Sequence, residues 1–168
     1  MAEGISGLAA VARPDARLLI LGSMPGEKSL QQQQYYAHPR NAFWPVMTSL
    51  LELESGLSYA ARLQALLTRQ IALWDVLGYC QRKGSLDSAI SAEQPNDFAE
   101  FMQQHNKVTA IAFNGGKAWQ SFRRHVIKSQ QLPATLHLIP LPSTSPAHAS
   151  LSFAGKLLEW QKISPFFG

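Results

Sequence analysis

Cysteine is almost missing from this chain of 168 residues, where Cys80 stands alone. A single thiol excludes an internal disulfide and any zinc or iron-sulfur centre built on several cysteines. Long apolar runs are missing as well. No stretch approaches the roughly 20 residues a membrane-spanning helix needs, and the start Met1-Ala2-Glu3-Gly4 lacks the charged-then-apolar pattern of a secretory signal. A cytoplasmic protein with no membrane contact is the expectation. Acidic residues are scarce, 11 Asp and Glu against 15 Lys and Arg, which leaves a formal charge of +4 and a pI near 9.4. That balance favours a polyanionic partner without requiring one. Two catalytic fingerprints are absent too: no Gly-x-Gly-x-x-Gly points to a dinucleotide, and no Gly-x-Ser-x-Gly elbow points to a serine hydrolase. Internal repeats, low-complexity segments and linkers are not found, the short run Gln31 to Gln34 aside, which reads as part of a loop.

What is present is apolar. Hydrophobic residues make up 46% of the chain, which at this length predicts one globular domain over residues 1–168 with a sizeable core. Met1 to Ala12 reads as a loosely held N-terminus. Short apolar runs at Arg17 to Gly22, Ile71 to Trp74, Val108 to Phe113 and Leu136 to Pro140 predict buried strands. Amphipathic stretches at Asn41 to Leu53, Ser58 to Thr68, Asn96 to His105, Gly116 to Ile127 and Leu151 to Ile163 predict helices. Such alternation implies an α/β fold, a four-stranded and mainly parallel sheet with helices on both faces. Function in such sheets gathers in the loops beyond the carboxyl ends of the strands. Those loops are Gly22 to Arg40, Asp75 to Ser88, Asn114 to Lys117 and Leu141 to Ala149, all rich in Gly, Pro, Ser, Asn or His.

The first of them begins Gly22-Ser-Met-Pro-Gly26, a turn whose glycines let a ligand approach the backbone. Alone it is an ordinary strand-to-loop turn. Downstream, Tyr36 offers a face for stacking, Arg40 a charge suited to phosphate, and Asn41 an amide that donates and accepts. Asn41 also suits a helix N-cap, and Phe43 and Trp44 open an apolar helical face that reads as core.

Taken together, Gly22-Ser-Met-Pro-Gly26, Ala37-His-Pro-Arg-Asn-Ala-Phe-Trp44 and Pro142-Ser-Thr-Ser-Pro-Ala147 resemble the uracil-DNA glycosylase superfamily, and within it the hypoxanthine-DNA (deoxyinosine) glycosylase branch. The resemblance spans about Leu18 to Ala149. It implies a three-layer α/β/α sandwich that flips a deaminated base out of DNA and hydrolyses its N-glycosidic bond, leaving an abasic site. Hypoxanthine is the favoured base and uracil the secondary one. The superfamily's first loop usually carries an acidic or amide residue that positions water, whereas this chain has Ser23 and Met24 there, a departure associated with the deoxyinosine branch. By the same resemblance Asn41 supplies the catalytic function, Tyr36 stacks on the flipped base, Asn114 faces its hydrogen-bonding edge, and the backbone of Ser23 and Met24 meets its developing charge. The last motif has Ser143 where the family often has His or Asn.

Several other side chains bear on the site. Ser143, Thr144 and Ser145 suit phosphate contacts, as do His38, Arg40 and Lys117, and His148 lies where the superfamily often places residues that penetrate or pinch the duplex, a DNA contact rather than a catalyst. Asp75 and Asp87 read first as turn or capping aspartates and second as general bases. Ser85 reads as a turn serine and His137 as a partly buried strand residue, and the histidine spacings match no zinc pattern. Nothing near Lys28 suggests an imine-forming lysine. The expectation is a monomeric, monofunctional hydrolase with no metal and no cofactor, acting on DNA. A nucleosidase on free nucleosides and a non-catalytic nucleic-acid binder are the alternatives.

Overall fold

The computed structural model describes residues 3–168. In chain order its strands are β1 (Glu3–Ser6), β2 (Leu18–Gly22), β3 (Ile71–Asp75), β4 (Leu77–Arg82), β5 (Ser91–Pro95), β6 (Ala110–Asn114) and β7 (His137–Leu141). Its helices are α1 (Glu27–Gln32), α2 (Phe43–Leu51), α3 (Tyr59–Thr68), α4 (Phe98–Gln104), α5 (Gly116–Phe122) and α6 (Phe153–Trp160).

Four strands form a parallel sheet in the order β3-β2-β6-β7. Every residue of β2 and β6 is buried, as expected of central parallel strands covered on both faces. Alternation along β2 divides the core. Leu18 and Ile20 pack with Phe43, Trp44 and Met47 of α2, Leu66 of α3 and Trp160 of α6. Leu19 and Leu21 pack with Phe98 and Phe101 of α4 and Phe122 of α5 on the opposite face. Side-chain caps start three of the helices: Ser58, Asp97 and Ser152 accept from the backbone N–H groups of Ala61, Glu100 and Gly155. The four strands and the five longer helices thus follow the apolar pattern of the sequence.

Three segments do not. The loop expected after Asp75 contains β4, which pairs antiparallel with β1 on one side and β5 on the other in a second, three-stranded sheet. Within the expected loose N-terminus, β1 is therefore a paired strand, and Val11 bridges Leu73; Met1 and Ala2 lie outside the described residues. The reason is visible in β4. Its buried positions are Leu77, Cys80 and Arg82, and its register with β5 shifts twice, so no period-two apolar pattern marks it. The expected loop before Arg40 also folds locally, with Gln31 and Gln32 inside α1 and Gln33 in the left-handed region at its end. On the edge strand β7, His137 is exposed, not buried, with its ring 4.9 Å from that of Phe166. Among the described residues no helix is long and apolar enough to cross a membrane.

Candidate active site

The carboxyl ends of β2, β3, β6 and β7 open into a cavity of about 730 Å³. The Gly22 to Lys28 segment forms one part of its wall, Tyr36, His38 and Asn41 another, and Ser143 to His148 a third. Asp75 at the end of β3, Asn114 at the end of β6, Lys117 in α5 and the Ser85 to Ser88 turn complete it. Of the residues singled out from the sequence, Arg40 is the exception: it is exposed and outside the wall, its backbone N–H donating to Nδ1 of His38 at 3.1 Å.

Tyr36 adopts a left-handed backbone, φ 56°, in the segment that leads into α2. Its ring stacks on Phe43 at 4.0 Å with 20° between planes, so one face is covered by core while the residue borders the cavity. The Tyr36 hydroxyl is buried with no hydrogen-bond partner. Burial and the nearby Asp75 raise its pKa, and the Asn114 amide opposes that shift. Asn41 is half-buried, and its Oδ1 accepts from the Phe43 N–H at 2.9 Å, the local turn that starts α2. Its Nδ2 makes no hydrogen bond among the described residues. The N-cap position of α2 is Ala42, not Asn41 as the sequence suggested; one end of the Asn41 amide closes the turn just before the helix, and the side chain borders the cavity.

Asn114 is held at both ends. Its Nδ2 donates to Oγ1 of Thr144 and its Oδ1 accepts from the Thr144 N–H, each at 2.9 Å. The Thr144 carbonyl in turn accepts from the Ala42 N–H at 2.9 Å, which ties the last loop to the start of α2. Thr144 is 1% exposed. This corrects its expected role at phosphate, because its hydroxyl and N–H both face Asn114. A Cβ on Gly115, at φ 97°, would lie 3.0 Å from Cβ of Ser143, so only glycine lets the two loops approach this closely. Ser143 and Ser145 cap their own loop by accepting from the N–H groups of Ser145 and Ala147. His148 is exposed, and its carbonyl accepts from Nζ of the buried Lys156 at 2.8 Å.

Asp75 is a buried carboxyl in this wall. It is 4% exposed, and its Oδ2 has no hydrogen-bond partner. A Cβ on Gly22, its register partner on β2, would lie 2.6 Å from Oδ1, so glycine is required for the carboxyl to fit. Burial and the charge of Asp87 push its pKa up to about 7, against the pull of Arg82. A turn or cap was the first expectation for Asp75; the structure instead buries it in the cavity wall. Arg82, 2% exposed, donates to the Pro25 carbonyl behind the first loop. Asp87 is exposed at the mouth and accepts from Oγ of Ser23 at 2.7 Å. The side chain of Ser85 accepts from the Glu27 N–H at 2.9 Å.

Lys117 does not stand free for phosphate. Its Nζ pairs with Oε2 of Glu93 on β5 at 2.8 Å, and Oε1 of the same carboxylate accepts from Ser121 and faces His125. Burial would raise the pKa of Glu93, yet these partners hold it below the usual range. Glu93 and Arg82 went unnoticed in the sequence because both belong to the second sheet, which no apolar pattern revealed. Among the described residues no group of three or more His, Cys, Asp or Glu side chains converges as a metal site.

Residues 10–161 match the family model for the uracil DNA glycosylase superfamily. A hypoxanthine DNA glycosylase from Methanosarcina acetivorans is 39% identical over 113 residues, covering 67% of this chain and 72% of that one. The protein of the same name from Methanosarcina barkeri is 37% identical over 114 residues, with the same coverage. A solution NMR structure of a Methanosarcina acetivorans protein, provisionally named a uracil DNA glycosylase, superposes with a TM-score of 0.81 at 31% identity over 96% of each chain.

Proposed function

Since the chain belongs to the uracil DNA glycosylase superfamily and is a DNA N-glycosylase, we propose that it removes hypoxanthine from DNA, uracil being a secondary base, with Asn41 orienting the water. One observation carries this reading: Tyr36 and Asn41, from the segment before α2, and Asn114, from the end of β6, border a single cavity beside the Gly22 to Gly26 turn. The names of the two Methanosarcina relatives support the choice of base.

Hydrolysis breaks the bond between C1′ and the base nitrogen. The bonding electrons leave with the base, water oxygen bonds to C1′, and the proton that water loses balances the charge of the departing base. The sugar passes through a cationic state, so the catalyst's task is to hold water on one side and donors beside the base. No strong nucleophile is needed. The free Nδ2 of Asn41 donates to the water oxygen and orients it without removing a proton. Tyr36, backed by Phe43, presents the stacking surface for the base. Asn114 keeps one N–H and one lone pair beyond its bonds to Thr144, enough to meet a lactam edge. The Ser23 and Met24 backbone lies where charge grows on the leaving base. His38, Ser143, Ser145 and His148 border the cavity as DNA contacts, and the exposed Arg40, outside its wall, serves as another. The reading takes the chain as one domain, a monomer that works in the cytoplasm.

The test uses labelled duplexes with one deoxyinosine or one deoxyuridine, followed by alkali. Strand breakage at deoxyinosine, faster than at deoxyuridine, is expected. Breakage at neither, with salt-dependent binding retained, would move the chain to a non-catalytic binder; activity on free nucleosides alone would make it a nucleosidase.

A further inference from the structure

The carboxyl ends of three neighbouring strands place Asp75, Gly22 and Asn114 side by side. Gly22 is the register partner of Asp75, and Asn114 follows Phe113, the register partner of Leu21. Leu73 and Ala112, two residues earlier, pack with Phe43 and Trp44 on the α2 side of the sheet, so the period of two along a strand turns Asp75 and Asn114 to that side as well. Tyr36 lies there too, its ring stacked on Phe43. Asp75 and Asn114 are thus two strand spacings apart at Cα, about 10 Å, with only a glycine between them.

Asp75 differs from the other buried polar groups near it. Arg82 donates to the Pro25 carbonyl, Lys156 to the His148 carbonyl, and Asn114 and Thr144 bond one another. Oδ2 of Asp75 has no partner, and neither has the Tyr36 hydroxyl. The two side chains meet over Gly22, where a Cβ would lie 2.6 Å from Oδ1 of Asp75 and 3.2 Å from the Tyr36 hydroxyl. Gly22, Tyr36, Asp75 and Asn114 all border the cavity. The titratable groups facing Asp75 are Arg82 of β4, Asp87 from the turn beyond it, and Tyr35 and Tyr36 from the segment before α2. Burial and Asp87 outweigh Arg82, and the pKa of Asp75 stands at about 7. A general base has to be ionised, and a charged Asp75 in this wall would repel the negative charge that grows on a departing base. The neutral acid offers an O–H instead.

We propose that the Asp75 carboxyl is the donor to N7 of the flipped purine, and that this contact selects hypoxanthine over uracil. The inference rests on the chain excising bases from DNA. Asn114 suits a lactam edge, one N–H beside one carbonyl, and both bases carry that edge. They differ on the far side of the carbonyl, where hypoxanthine has the acceptor N7 and uracil has a C–H. A donor set beside Asn114 therefore finds its partner only on the purine, and a site built around such a bond rejects the base that lacks it. As the bond from C1′ to N9 breaks, its electrons pass into the base, the proton of Asp75 passes to N7, and the base leaves neutral. Water oxygen bonds to C1′, and the proton that water loses returns to the Asp75 carboxylate.

The experiment has two readouts. The first is the single-turnover rate of hypoxanthine excision from duplex DNA across neutral pH, for wild type and for Asp75→Asn, which keeps a donor but has no proton to transfer. The wild-type rate should fall about tenfold per pH unit once pH passes about 7. The asparagine variant should be slower by about a hundredfold on the acid side and should not change with pH. The second readout is binding to duplexes whose 2′-fluoroarabino sugar blocks cleavage, carrying either hypoxanthine or 7-deazahypoxanthine, which has a C–H in place of N7. Wild type and Asp75→Asn should prefer hypoxanthine by about tenfold, and Asp75→Leu, of similar shape but with no donor, should bind both alike. Thermal melts check that each variant folds. A wild-type rate that is flat with pH, or wild-type binding that ignores N7, would overturn Asp75 as the donor and leave the glycosylase reading standing. A wild-type chain that excises no hypoxanthine at any pH would overturn that reading, and the donor with it.

Discussion

Asn114 and Asn41 carry the same side chain and border the same cavity, yet they are held in opposite ways. Asn114 engages both ends of its amide with Thr144, which is itself tied to the start of α2. Asn41 engages only Oδ1, with the Phe43 N–H. The difference separates two regions of one site. The β6 end and the last loop form a braced wall, in which polar groups satisfy one another and set the position of everything else. The segment before α2, together with the β3 end, forms an open wall: the Asn41 Nδ2 is free, and Asp75 Oδ2 and the Tyr36 hydroxyl are buried without partners. Groups left in this condition are expensive to keep unless a ligand uses them. Bracing therefore marks the scaffold, and incomplete satisfaction marks where substrate chemistry is expected.

The largest effect should come from breaking the brace. Asn114→Ala leaves the buried N–H and hydroxyl of Thr144 unpaired and should cost about 3 kcal/mol of stability, with excision falling alongside; thermal unfolding reads the first and a gel assay the second. Asn114→Asp sharpens the point. Its carboxyl can accept from the Thr144 N–H and, with the hydroxyl turned round to donate, from Oγ1, so it should recover part of the stability, less the cost of a buried charge, while the donor toward the base is lost.

Asp75→Asn should produce a smaller effect of opposite sign. The folded-state pKa of Asp75, about 7, lies above the ordinary 3.8, so the native state holds its proton more tightly than the unfolded chain. The group's stability contribution is fully present below about pH 4 and is lost as pH rises through 7. At pH 8 the asparagine variant, which has no charge to bury, should be more stable than wild type by about 2 kcal/mol, and near pH 4 the two should converge. Denaturant melts at both pH values decide it; a gap that does not change with pH would contradict the burial account of Asp75.

How far the sequence foretold this molecule differs between the same two regions. Leu18 to Gly22 and Ala110 to Asn114 are unbroken apolar runs, so the sheet that supports the braced wall was legible. The motif loops at its carboxyl ends were equally clear, because glycine, proline and serine cluster there for reasons of backbone geometry. Asp75 was not legible. Its burial depends on Gly22 leaving space across the sheet and on Asp87 arriving from a distant turn, neither of which is a local property. The second sheet escaped for a related reason, since Arg82 is buried in β4 where a pattern search expects an apolar residue. Thr144 looked like a phosphate donor because a hydroxyl in a loop gives no sign of which way it will turn.

The division between brace and open wall meets its most direct test in Asn41→Ala. Loss of the local hydrogen bond to the Phe43 N–H should lower stability by only about 1 kcal/mol, or roughly 2–4 °C in melting temperature. The single-turnover rate of hypoxanthine excision from duplex DNA should fall by about a hundredfold or more, as when a positioned catalytic group is removed. A folded Asn41→Ala protein that excises hypoxanthine at the full wild-type rate would contradict the assignment of the open wall to catalysis.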